Sequence, residues 1–220
     1  MKRKKMAKKL KCFFAMVTML YAPVVLSLEP PRAFVSIIID DLGYGLKDGK
    51  QVFTLPSEVS IAVIPHSPHS TRFATMAHQR GHDVLVHIPM QSTLGVVKEE
   101  GLLQIDMDEK AVNHALEQAI RSVPYAVGLN NHQGSLLTRH PGHMTWVMKT
   151  LSNKQLFFID SRTSSQSIAE MIAREQGVPV LRRDVFLDHE RSPKAIHQQL
   201  MQLIEKAKSN RYAIAIGHPY

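Results

Sequence analysis

From residue 34 onward, continuous apolar runs alternate with amphipathic stretches. Phe34–Ile39 (FVSIII) is the first run, and its β-branched character predicts a strand buried on both faces. Val59–Ile64, Val84–Ile88, Tyr125–Leu129, Leu156–Ile159, Val178–Leu181 and Tyr212–Ile216 repeat it, giving seven expected strands. Apolar residues at helical spacing predict helices over Thr71–Arg80, Asp108–Val123, Met144–Leu151, Ser167–Gln176 and Ser192–Lys208. Gly81 and Gly177 stand where helix C-termini need a left-handed residue. Strands alternating with helices predict an α/β fold with a mainly parallel sheet and crossover helices. The pattern leaves open whether that sheet closes into a barrel or stays doubly wound. It shows no internal repeat and no second domain.

The chain ahead of this pattern has a different character. Lys2, Arg3, Lys4, Lys5, Lys8, Lys9 and Lys11 are followed by an apolar stretch from Cys12 to Leu26. That is the layout of a secretory signal, and small residues at Val25 and Ser27 place the expected cut after Ser27. The apolar stretch is about 15 residues, short of the ~20 that span a bilayer, and Pro23 interrupts it. An uncleaved anchor is the alternative. Either way the expected location is periplasmic or otherwise exported, with no stable membrane span after cleavage. Residues 28–33, with Pro30 and Pro31, read as a linker, and 34–220 as one domain.

The formal net charge of +8 changes meaning in this light. Seven of those charges lie in the leader, which carries no acid, so the body is near +1 and no nucleic-acid partner is expected. The only cysteine, Cys12, also lies in the leader. A disulfide, a thiol nucleophile and cysteine-ligated zinc are therefore excluded from the body, and with 44% hydrophobic residues its stability must come from a packed core.

Polar residues gather just after the predicted strands. They are Asp40-Asp41, His66 with His69, His87, Asn130-Asn131-His132, Asp160-Ser161-Arg162, Arg182-Arg183-Asp184 with Asp188, and His218. In a parallel sheet these positions share one rim, the face on which active sites are built. Adjacent carboxylates at the end of an apolar strand repel each other, and a cation or a proton relieves that cost. Buried carboxylates satisfied by backbone amides are the plainer alternative. His87 and His132 with one carboxylate make a two-histidine, one-carboxylate set suited to zinc or another divalent ion, with a position left for water. Asp48 and Asp108 read as helix caps. His78, His82, His114, His140, His143 and His197 are expected to be mostly solvated. No HExxH, G-x-S-x-G, P-loop or G-x-G-x-x-G motif is present, which removes the usual support for zincin, serine-hydrolase, nucleotide and dinucleotide readings.

The segments Ile38-Ile-Asp-Asp-Leu-Gly43, His87-Ile-Pro-Met90, Gly128-Leu-Asn-Asn-His-Gln-Gly-Ser135, Phe158-Ile-Asp-Ser-Arg-Thr163, Arg183-Asp-Val-Phe-Leu-Asp-His189 and Ala215-Ile-Gly-His-Pro219 resemble, in order, the divergent polysaccharide deacetylase family. That family is related to the NodB-homology carbohydrate esterases. The resemblance implies a distorted (β/α)7 barrel of parallel strands. Relatives continue into a closing helix, and the sequence stops at Tyr220 without it.

The resemblance also implies roles. Asp40 would be the catalytic base. Asp41, His87 and His132 would hold a divalent metal, with zinc the expected ion. His218 would protonate the leaving group, with Asp188 holding its ring. Asn131 and Arg162 would bind substrate, and Asp160 would support the site as a partner of a metal histidine. Gln91 stands where an acid is common in the family, and the superfamily's second metal histidine is missing. The implied activity is removal of acetyl groups from an N-acetylated cell-envelope polysaccharide or peptidoglycan. The alternative is a non-catalytic periplasmic protein that binds glycan or a partner in the same cleft. A two-metal phosphoesterase would need a denser Asp/His set.

Overall fold

All eight strands of the sheet run parallel, in the spatial order Val180–Arg182, Phe157–Asp160, Ala126–Gln133, Val84–Met90, Ser60–Val63, Phe34–Leu42, Tyr212–Gly217, Val185–Phe186. The computed structural model describes residues 33–95 and 99–219, with no side-chain description for Lys47 and Asp48. The leader, almost all of the linker, and Tyr220 lie outside the described residues.

The elements are β1 (Phe34–Leu42), α1 (Leu46–Val52), β2 (Ser60–Val63), α2 (Ser70–Gln79), β3 (Val84–Met90), α3 (Glu109–Ser122), β4 (Ala126–Gln133), α4 (Pro141–Lys154), β5 (Phe157–Asp160), α5 (Ala169–Glu175), β6 (Val180–Arg182), β7 (Val185–Phe186), α6 (Pro193–Asn210) and β8 (Tyr212–Gly217). A 3-10 turn, Leu137–Arg139, precedes α4.

The sheet curls into a distorted barrel, and its two edge strands explain why seven strands were expected where eight are found. β6 and β7 are the halves of one crossing, broken at Arg183-Asp184. There the backbone turns to opposite neighbours: Arg183 N donates to Asp160 O of β5 at 2.9 Å, and Asp184 N to Ile214 O of β8 at 2.8 Å. Together β6 and β7 fill the one position between β5 and β8. The barrel thus has seven positions around its wall, one of them split.

Two apolar layers hold this wall. Ile38, Ala62, Leu85, Ile159, Ile214 and Ile216 form one buried cluster. They come from five strands of one curled sheet, so they meet inside it. A larger cluster, including Val63, Val86, Leu129, Phe158, Leu116 and Met148, lies between the outer face of the sheet and the helices. Residues with odd and even parity along each strand thus serve different layers.

Local signals account for most helix ends. Asp108 caps α3, its Oδ1 accepting from Ala111 N at 2.8 Å. Ser192 caps α6 in the same way and Pro193 opens it. Gly81 and Gly177 follow α2 and α5 with φ of 84° and 68°. Helix α1 is not marked in the sequence. It is seven residues long, has no side-chain cap, and contains Gly49, where an added Cβ would lie 2.4 Å from the Phe73 ring. Tertiary packing overrides propensity there, and Asp48 falls within this helix rather than at its start.

Gly128, on the interior face of β4, leaves room for Phe157: a Cβ would sit 2.4 Å from that ring. Gly128→Ala is expected to destabilise the protein by about 1–3 kcal/mol through overpacking. Urea denaturation checks this, and an unchanged midpoint would contradict it.

Candidate metal centre

Parallel strands deliver their C-terminal ends to one rim, and the rim of this barrel carries the polar cluster. Simple alternation along β1 would send Asp40 and Asp41 to opposite faces. Asp41 instead has φ 60°, and the β1–β2 register slips between Ile39 and Leu42. Aspartate tolerates this left-handed conformation better than most residues, although it is costly. The kink brings both carboxylates to the mouth.

Strand pairing places the histidines. His87 of β3 and Asn130 of β4 are paired positions, and Asn130 and His132 share a face by two-residue spacing. Asp41 Oδ1 lies 3.1 Å from His87 Nε2 and 3.0 Å from His132 Nδ1, and those two nitrogens are 3.1 Å apart. Among the described residues, Asp41, His87 and His132 form the one group of three or more such side chains able to hold a metal ion.

The donor set fits a divalent cation. Asp41 Oδ1 is buried yet makes no properly directed hydrogen bond, despite two ring nitrogens close to it. The three atoms instead form a triangle with sides of 3.0–3.1 Å. Neighbouring ligands of tetrahedral zinc with bonds of about 2.0–2.1 Å sit roughly 3.3 Å apart, close to this triangle.

Electrostatics fit as well. Burial opposes charge on His132, but Asp41 and Glu99 outweigh it and push the imidazole up to about 10. Burial likewise opposes charge on Asp41, and His132 and His87 hold its carboxyl well below the usual range. A positive charge is thus favoured at this point even without a metal.

Asp40 lies beside the triangle and is 1% exposed. Its Oδ1 accepts from Asn130 Nδ2 at 2.8 Å, and its Oδ2 lies 3.5 Å from His87 Nε2. Burial pushes its carboxyl above the usual carboxylate range, against the pull of His87, Asn130 and His218. At the end of the neighbouring strand β8, Asp188 receives the His218 backbone N–H at 2.6 Å, and the His218 ring Nδ1 lies 3.1 Å from both its oxygens. That leaves His218 Nε2 free of this pair.

The structure therefore gathers Asp40, Asp41, His87 and His132, with His218 and Asp188 beside them. It uses the other three candidates differently. Asn131 lies on the opposite face of β4 from the histidine. Its Nδ2 donates to Gln133 O and its Oδ1 accepts from Ser161 N. The two oxygens of Asp160 accept from Arg162 N and Ser167 Oγ, and the Arg162 guanidinium donates to Ser167 O and Ser165 O. These contacts build the loop after β5. The side chain that meets His87 is Asn130, not Asp160. Of the six histidines expected to be mostly solvated, His82 and His143 are buried, bonded to Val59 O and Met107 O.

Two residues join the site that sequence reasoning missed. Asn130 was available to it: once His132 points inward, the residue two before it does too. Glu99 was not, because it comes from the long loop between β3 and α3. Its Oε1 lies 3.4 Å from His132 Nε2. Gln91 anchors that loop: its Oε1 accepts from Ile105 N and its backbone N donates to Leu103 O.

Comparison with known proteins agrees with this architecture. The profile of a family described as divergent polysaccharide deacetylase matches residues 37–220. An uncharacterized protein from Haemophilus influenzae is 40% identical over 209 residues, covering 95% of this chain and 73% of the relative. The uncharacterized protein YibQ from Escherichia coli is 40% identical over 185 residues, covering 84% of this chain but 58% of its own length. The chain thus spans under two thirds of the latter. A crystal structure of an uncharacterized protein from Agrobacterium tumefaciens C58 shares the fold, with TM-score 0.82 at 23% identity, covering 86% of this chain and 78% of that one.

The His132 shift carries a pH signature. A folded pKa of about 10, above the usual 6.5, gives the metal-free protein stability that is fully present below pH 6.5 and lost as pH rises through 10. Urea midpoints of metal-free wild type and His132→Gln, measured from pH 6 to 10.5, are expected to converge as pH rises. A constant gap between them would contradict the pairing.

Proposed function

The chain belongs to the divergent polysaccharide deacetylase family, and from that premise we propose that it is an exported, metal-dependent hydrolase that removes acetyl groups from an N-acetylated cell-envelope glycan. One observation carries the reading. The convergent Asp41, His87 and His132 atoms have a buried carboxylate, Asp40, beside them, and the Asp188–His218 pair stands at the end of the strand adjacent to that of Asp40. Amide hydrolysis needs that division of labour: a base for water and an acid for the departing amine.

Asp41, His87 and His132 would hold the cation, which would polarise the acetamide carbonyl and lower the pKa of water to about 7. Asp40 takes the proton of the attacking water, with Oδ2 the oxygen not engaged by Asn130. Attack on the carbonyl carbon gives a tetrahedral intermediate. His218, gripped at Nδ1 and at its backbone N–H by Asp188, delivers a proton from Nε2 to the amine nitrogen. The C–N bond then breaks, leaving acetate and a free amino sugar.

The leader supports export, and export brings the protein to envelope glycans such as peptidoglycan. Zinc is the ion best matched to two imidazoles and one carboxylate with room for water. The near-neutral body favours an uncharged sugar surface over a polyanion.

Zinc-loaded protein is expected to release acetate from N-acetylated glycan oligomers and to stop when chelated. Asp40→Asn and His218→Ala should each lower kcat by about 10²–10⁴-fold, the usual worth of a general base or acid. Chelator-insensitive glycan binding with no acetate released would favour the non-catalytic binder instead.

A further inference from the structure

Asn130 is fully buried and both ends of its amide are committed. Its Nδ2 donates to Asp40 Oδ1 at 2.8 Å, and its Oδ1 meets His87 Nδ1 at 2.8 Å. A carboxylate oxygen accepts, so the amide NH2 faces Asp40 and the amide oxygen is turned onto His87. An amide oxygen also only accepts, so the proton of a neutral His87 sits on Nδ1. The lone pair is then on Nε2, the nitrogen 3.1 Å from both Asp41 Oδ1 and His132 Nδ1.

We propose that Asn130 is a positioning residue that fixes His87 as its Nδ1–H tautomer and aims the Nε2 lone pair at the metal position, so that one amide sets both the proton acceptor and a metal ligand. The assignment rests on the metal-centre reading given under Proposed function and deepens it. The fold supports such a link. His87 and Asn130 are paired across adjacent strands, and β2, between β1 and β3, contributes only the small Ala62 to the interior cluster. Asp40 thereby reaches a residue three strands away. A reversed amide would put its NH2 on His87 Nδ1 and move the ring proton to Nε2, directly into the triangle. The two arrangements make opposite predictions for one atom.

Metal-free protein with 15N-labelled histidine, held at a pH where the ring is neutral, reports the tautomer by long-range 1H–15N correlation. The expected result is a protonated Nδ1 and an unprotonated Nε2 at His87; the opposite pattern overturns the proposal. Zinc calorimetry supplies the second readout. Asn130→Leu should shift the tautomer and lose about 10–100-fold in zinc affinity, as losses of a metal ligand's hydrogen-bond partner usually do. Asn130→Asp should restore most of that affinity, because a carboxyl oxygen still accepts from His87 Nδ1. Unchanged tautomer and affinity in Asn130→Leu would overturn the proposal. If Asn130→Leu does not fold, the wild-type tautomer decides alone. Protein with the expected tautomer and tight zinc binding but no acetate release would keep the positioning role and sink the deacetylase reading.

Discussion

Three electron-rich atoms about 3 Å apart in a barrel mouth are the constraint on which the site depends. Asp41 Oδ1, His87 Nε2 and His132 Nδ1 come from three different strands and meet at one point. Holding them together without positive charge is costly at this burial. Metal-free, the protein meets the cost by keeping a proton on His132, whose two nitrogens face Asp41 and Glu99. A divalent ion would meet it more directly, and the same arrangement would then serve as a Lewis-acid centre.

The fold serves that convergence. Parallel strands bring all C-terminal ends to one rim, and the barrel interior below is filled by aliphatic side chains from five strands. The rim departs from regularity where function needs it. Asp41 adopts a left-handed conformation inside a strand, and the β6–β7 crossing is broken at Arg183-Asp184. Regular alternation would have turned one of the two adjacent carboxylates away from the mouth.

Much of this was legible in the sequence because its signals are periodic. Continuous apolar runs marked the strands, glycines and an aspartate marked helix ends, and strand-end polar residues marked the rim. The carboxylate pair and the two histidines followed from that. What was not legible depends on side-chain direction and on loops. Asn131 and Asn130 are neighbours of one type, and only strand parity shows that Asn130 faces the histidine. Asp160 looked like a site acid, but its oxygens organise the loop that follows it. Glu99 reaches His132 from a long connection with no periodicity to read. Helix α1 escaped because Gly49 trades propensity for contact with Phe73.

The proposed chemistry turns on the cation site, since Asp40 and His218 would act on a carbonyl that a bound cation polarises. The direct measurement is calorimetric titration of metal-free protein with Zn²⁺, beside Asp41→Ala confirmed to be folded. One ion per chain is expected in the wild type, with loss of that binding in the variant. Absence of binding in the wild type, or equal binding in Asp41→Ala, would contradict it.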